Sequence, residues 1–195
     1  YTLNLPYNRS DTVYGVQNLN LHSGTAASFA EDLCVTTGDV NTDQIPLAAS
    51  SAGLFNLNQT EVEYAKDIFT QRSPASITKI MTALVALKYG NLDDQVTVTE
   101  TAEDIEYGSS VCGIQVGDVL SLRQLIYGLM IPSGNDAAMM IAEHVAGSVD
   151  QFVALMNEEA AALGATDTHF TNPHGLTEEG HYTSVYDIYL MFNAA

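Results

Sequence analysis

Positive charge is what this sequence has least of. Lysine and arginine together number 6, against 24 aspartates and glutamates, for a formal charge of −18 over 195 residues. That balance excludes a nucleic-acid partner, which demands a basic footprint, and leaves no polybasic stretch to attract anionic lipid. Acidity on this scale favours solubility and says nothing of fold. Cysteine is nearly absent too. Cys34 and Cys112 are too few for a disulfide framework and lack metal-ligand spacing, so two buried thiols or a single bridge are the readings open to them. No apolar run is long enough to span a membrane. The opening "YTLNLPYNRS" has neither the basic end nor the apolar centre of a signal peptide, which leaves a cytosolic chain or the processed form of an exported one.

What is present is an ordinary globular composition, 46% hydrophobic, which argues against disorder. The length suits one domain with a sizeable core, or part of a larger one. Residues 1–24 are polar and mixed and read as an irregular arm, with a single domain over 25–195. A short strand is expected from about Phe29 to Thr36, then a loop at "GDVNTDQIP", then a β-hairpin turning at Asn58-Gln59. A helix follows from about Pro74 to Tyr89, with Ser73 as N-cap, Pro74 in the first helical position and Gly90 as the stop. Its apolar residues Ile77, Ile80, Met81, Leu84, Val85 and Leu87 cover most of the circumference, which predicts a central, buried helix. Further on, "DDQVTVTE" holds a short strand and "SLRQLIYGLMI" a helix stopped by Pro132. "NDAAMMIAEHVAG" is a helix closed by Gly147, and another runs from a Ser148/Gln151 capping pair to Gly164. A long polar loop, "TDTHFTNPHGLTEEGHYT", precedes a last helix in "SVYDIYLMFNAA". There is no internal repeat and no low-complexity segment. Strands lie mostly before residue 74 and helices dominate after it, an α+β pattern.

The stretch "SPASITK" carries the chemistry. A lysine at the start of a buried helix is misplaced by ordinary burial rules. Ser76 and Lys79, three residues apart, share one helix face. The helix start offers Ser76 unpaired amides and the positive end of the dipole, both useful where an oxyanion develops. Burial lowers a lysine pKa, which turns Lys79 into a base for a serine nucleophile. Ser-x-x-Lys alone is common, as is the second signal, "PSGNDAA", whose Ser133 and Asn135 also suit a turn and a cap. Together they supply a second hydroxyl to relay a proton and an amide to hold both Lys79 and a substrate carbonyl.

With its flanks, "PASITKIMTALVAL" and "LIYGLMIPSGNDAAMMIAE" resemble the first two motifs of the low-molecular-weight penicillin-binding D-Ala-D-Ala carboxypeptidases (peptidase S11 type). Gly134 stands where β-lactamases tend to have Asp. "THFTNPHGLTEEGHYTSVYDI" resembles the loop and helix that follow in that family, and the likeness runs from about residue 50 to 195. The resemblance implies a β-lactamase/transpeptidase-like fold, an antiparallel sheet with a helical cluster. It implies that Ser76 is the acylated nucleophile, Lys79 the base, Ser133 the proton relay to the departing D-alanine, and Asn135 the group that orients the substrate amide. His174 and His181 match frequent loop residues and are read as loop-fixing hydrogen bonders. The implied substrate is a peptidoglycan pentapeptide ending in D-Ala-D-Ala, with β-lactam antibiotics acylating the same serine. No metal or organic cofactor is implied. The implied location is secreted, at the outer side of the cytoplasmic membrane. The family's third motif, Lys-Thr-Gly, has no counterpart, for the lysines are Lys66, Lys79 and Lys88. The expectation is therefore a fold incomplete at its C-terminal end, completed by a further segment of the protein or by a separate polypeptide. A serine β-lactamase is disfavoured because "GATDTHFTNPHGL" has no Glu to deacylate. A non-catalytic penicillin sensor or peptidoglycan-binding domain is disfavoured by the intact Ser76, Lys79, Ser133 and Asn135, while the missing third motif keeps it open.

Overall fold

The structure, a computed structural model, describes residues 12–13, 16–17 and 32–195. The chain divides into two compact units, Tyr1–Asp67 and Ile68–Ala195. The arm expected over 1–24 lies outside the described residues, apart from two short antiparallel strands, β1 (Thr12–Val13) and β2 (Val16–Gln17). Of the strand expected near 29–36, residues 29–31 lie outside the described residues and 32–36 form a turn and unpaired chain. There Cys34 is fully buried and its thiol donates to the Asn56 carbonyl at 3.6 Å, so a side-chain anchor replaces a strand ladder.

The expected hairpin is present as β3 (Ala52–Asn56) and β4 (Glu61–Lys66), antiparallel, with a register shift between Leu54 and Phe55. Asn56 organises the turn. Its Nδ2 donates to Gln59 Oε1 (2.9 Å) and Glu63 Oε1 (2.7 Å), and its Oδ1 accepts from the Gln59 N–H (3.2 Å). Alternation along β4 buries Val62 and Tyr64. The other edge of β4 is used as well: Val40, in the expected loop, exchanges two backbone bonds with Ala65.

The second unit is mainly helical. A 3-10 turn (Ala75–Thr78) leads into α1 (Lys79–Tyr89). β5 (Gln95–Thr97) pairs antiparallel with β6 (Val119–Ser121), which runs straight into α2 (Leu122–Met130). α3 (Asn135–Ala146), α4 (Val149–Ala162) and α5 (Val185–Ala194) follow. The sequence shows every one of these helices and β5; β6, three residues long, is too short to show a period. Side-chain oxygens of Ser121, Ser148 and Ser184 each accept the N–H three residues on, which caps α2, α4 and α5. Gly147 closes α3 in the left-handed region, φ 85°. Antiparallel strand pairs with a helical cluster give the α+β class expected.

α1 is central and touches α2, α3, α4 and α5. Met81, Val85 and Ala86 of α1 pack with Leu125 and Leu129 of α2, Ile141 of α3, and Phe152 and Met156 of α4. Two expectations about α1 need correction. Ser73 is not its N-cap: the helix is entered through the 3-10 turn, Pro74 precedes that turn, and no side chain caps it. Nor are all the apolar residues of the expected helix inside, since Ile77, in the 3-10 turn, is 47% and Leu87 48% exposed while Thr78, Lys79 and Thr82 are buried. A helix apolar over most of its circumference gives little direction for its inner face. Here the polar side faces inward because a neighbouring loop accepts its hydrogens. Of the two cysteines, Cys34 is buried and Cys112 is partly buried.

Candidate active site

The geometry around Ser76 is set by backbone strain. Ala75 has φ 48°, a left-handed value that costs a non-glycine residue about 1–2 kcal/mol. It prevents an α-helix from starting before Ser76 and produces the 3-10 turn on which the exposed Ser76 sits. The strain is held by Gly175 of the 171–181 loop. A Cβ there would lie 1.9 Å from the Ala75 carbonyl oxygen and 2.9 Å from Thr78 Oγ1, and Gly175 itself has φ 90°, so only glycine fits.

Lys79 lies under this turn, 3% exposed. Its Nζ donates to Asn135 Oδ1 (2.7 Å) and to the His174 carbonyl (2.7 Å), and it stands 3.5 Å from Ser76 Oγ. No carboxylate is among these partners. Burial alone therefore lowers its pKa to about 8. Once Lys79 is neutral, its two N–H groups remain with the two short acceptors and its lone pair is left for Ser76. Asn135, the first residue of α3, is itself buried. Its amide oxygen is committed to Lys79, which leaves the NH₂ end as the group that can meet a carbonyl.

Ser133 differs from expectation. Its Oγ is buried and has no hydrogen-bond partner among the described residues, so the relay to Lys79 is not formed as a bond here. Its backbone is left-handed, φ 61°. Left-handed backbone and an unsatisfied buried hydroxyl both cost free energy, and such costs persist mostly where function requires them.

Gly134, between Ser133 and Asn135, has its own reason. A Cβ there would come within 2.7 Å of both Asp136 Oδ1 and the Gly128 carbonyl. The Asp136 carboxylate fills that space and accepts the N–H groups of Cys112 (2.9 Å), Gly113 (2.8 Å) and Ala137 (2.9 Å). Burial pushes the Asp136 carboxyl up, but these amides outweigh it and hold it below its ordinary value. Burial, then Asp136, push the Cys112 thiol up to about 11, which keeps it unreactive.

The 171–181 loop forms the other wall. Thr82 donates to the Pro173 carbonyl (2.6 Å), and Asn172 Oδ1 accepts the Gly175 N–H (2.7 Å) in a local turn. The His181 ring contacts Thr78 Oγ1 at 2.8 Å and accepts the Thr171 N–H at Nδ1, 3.0 Å. His174 accepts the Leu176 N–H at Nδ1 (3.2 Å); burial, then the Lys79 charge, lower its pKa to about 4. Both histidines hold the loop, as the sequence reading has it. The loop's contribution through main-chain carbonyls is what sequence reasoning misses, because a carbonyl has no residue signature. The signal available was Asn172, three residues before Gly175 in a polar loop.

Residues 38–195 match the family described as D-alanyl-D-alanine carboxypeptidase. The chain is 37% identical over 169 residues to D-alanyl-D-alanine carboxypeptidase DacF of Bacillus subtilis, and 36% identical over 178 residues to DacA of Escherichia coli. These alignments cover 84% and 87% of this chain but 43% and 44% of those relatives, so the chain spans less than half their length. Among solved structures, the D-alanyl-D-alanine carboxypeptidase DacD of Francisella tularensis aligns with TM-score 0.70 and 30% identity over 83% of this chain and 38% of its own. A variant of the Streptomyces K15 DD-transpeptidase aligns with TM-score 0.73 and 33% identity over 77% of this chain and 62% of its own.

Proposed function

Since the chain belongs to the D-alanyl-D-alanine carboxypeptidase family, we propose that it carries the nucleophilic half of a serine carboxypeptidase site acting on peptidoglycan stem peptides at the outer side of the cytoplasmic membrane. The observation that carries the reading is the buried Lys79, with two short oxygen acceptors and Ser76 Oγ in its third direction. Neutral Lys79 takes the Ser76 proton as Oγ attacks the carbonyl carbon of the penultimate D-alanine. The carbonyl oxygen becomes an oxyanion beside the helix start, where amide donors stabilise it. Collapse breaks the peptide bond. The terminal D-alanine leaves as an amine that takes a proton through Ser133, and a seryl ester remains. Asn135 holds the substrate amide from its NH₂ end. Water then hydrolyses the ester, with Lys79 again accepting the proton. A β-lactam acylates Ser76 by the same first step.

The test uses the full-length protein and a fluorescent penicillin, with D-alanine release from a D-Ala-D-Ala peptide as the second readout. Peptide mapping is expected to place the label on Ser76, and Ser76→Ala to abolish it. Lys79→Arg keeps the charge but cannot act as a base at neutral pH; it is expected to slow acylation by roughly 10²–10⁴-fold. Acylation by the native protein is expected to rise with pH through about 8, the Lys79 pKa. A label on another serine, or an unchanged rate in Lys79→Arg, overturns the reading.

A further inference from the structure

The three bonds between α1 with its 3-10 turn and the 171–181 loop are not alike. Two run from Lys79 and Thr82 to backbone carbonyls. The third, between Thr78 and His181, depends on a ring that titrates. We propose that His181, in its Nε2–H form, is a positioning residue for acylation: it ties the loop to Thr78 and so fixes the turn that presents Ser76. The proposal rests on the carboxypeptidase reading and adds to it a residue that the nucleophile–base pair does not include.

The tautomer follows from the partners. The Thr171 N–H points at Nδ1 from 3.0 Å, so Nδ1 bears no proton. The proton is then on Nε2, which donates to Thr78 Oγ1 at 2.8 Å. The Thr171 hydroxyl is 3.2 Å from Nδ1, but its single hydrogen is given to Glu178 Oε2 at 2.8 Å. His181 and Thr78 are both buried, and the rings of His181 and Phe170 meet in an edge-to-face arrangement. Thr78 lies between Ser76 and Lys79, and its Oγ1 borders the space that Gly175 leaves empty.

Adding a proton at Nδ1 sets two hydrogens against each other. The ring can turn toward Thr171 Oγ1 only by abandoning the part-buried Thr171 amide, and that movement withdraws Nε2 from Thr78. The charged and titratable groups that face the ring are Glu178, which favours the imidazolium, and His169, which opposes it; His174, with its pKa lowered to about 4, is neutral where His181 gains its proton. Burial is the largest influence, and the net effect holds the His181 pKa below its usual value. Below that range the loop clamp loosens, and the nucleophile loses its alignment. A misplacement of about 1 Å from a change outside the chemistry costs on the order of 10²-fold in rate.

The experiment measures acylation of the full-length protein by fluorescent penicillin against pH, for native protein, His181→Gln and His181→Phe, with amide hydrogen exchange at residues 75–79. Gln supplies one donor and one acceptor at every pH; Phe keeps the shape and loses both bonds. Expected for His181→Phe is an acylation rate lower by about 10–100-fold, with the label still on Ser76 and faster exchange in the turn. Expected for the native protein is an acid-side inflection beneath the Lys79 one, and for His181→Gln the native rate at neutral pH with that inflection lost. A native rate in His181→Phe, or the same acid inflection in His181→Gln, overturns the proposal. If His181→Phe does not fold, the His181→Gln profile decides. If the native protein takes no label, the carboxypeptidase reading fails by itself, and unchanged turn exchange in His181→Phe then overturns the positioning role.

Discussion

Ser133 combines two unfavourable features, a left-handed backbone and a buried hydroxyl with no partner among the described residues. Neither is repaid within the structure. Removing the hydroxyl relieves the desolvation of an unmatched polar group and leaves the backbone strain as it was. If the hydroxyl is there to move a proton, Ser133→Ala should slow acylation by about 10²–10⁴-fold and hold or raise the melting temperature. Thermal melts and penicillin labelling on the same preparation check both halves. A lower melting temperature with unchanged acylation would give Ser133 a purely structural role in the turn. Lys79 shows the same bargain on a larger scale: a buried cation without a carboxylate is costly, and the cost appears as a pKa of about 8.

Among the elements, the start of α3 does the most to organise the site. Asp136 ties the 112–114 loop to α3 one residue after Asn135, and Gly134 leaves room for its carboxylate. Asp136→Asn replaces one acceptor oxygen with a donor that faces N–H groups. The expected loss is roughly 1–3 kcal/mol, the cost of a buried group left unmatched. Its pH dependence has a definite sign. The folded carboxyl is held below its unfolded value, so the stabilisation is fully present above the ordinary carboxylate range and disappears as pH falls through the folded pKa. Denaturant unfolding should show a constant gap between native protein and variant near neutrality, narrowing in acid. A gap that widens in acid would contradict the assignment.

For the whole molecule, the charge of −18 dominates. Net charge of one sign destabilises a compact state by self-repulsion. Salt shortens the Debye length from about 10 Å at 0.1 M to about 3 Å at 1 M. The melting temperature is therefore expected to rise with sodium chloride over that range, and to rise alike with potassium chloride. A flat or falling series would show that the acidic groups are too far apart to matter. The ion pair from Lys88 to Glu159, at 2.7 Å and supported by Tyr89, joins α1 to α4; its half-exposed lysine makes it a minor term in such a series.

By itself the sequence determined the periodic helices, their serine and glycine ends, the hairpin around Asn58-Gln59, and Ser76 with Lys79 at a helix start, because each is a local matter of period, cap or turn. Ser133 and Asn135 were legible as a motif, since their spacing from Pro132 and Asp136 is short. The tertiary structure alone decided which way α1 faces. Apolar residues cover most of its circumference, and it is acceptors distant in the chain, the carbonyls of Pro173 and His174 and the amide oxygen of Asn135, that turn Thr82 and Lys79 inward. It also decided that Ser76 sits on a 3-10 turn, because the left-handed Ala75 is held by Gly175, a glycine that reads in sequence as an ordinary loop residue. Backbone acceptors and close approaches have no residue code, so what a lysine donates to, and where strain is stored, emerges only when distant segments meet.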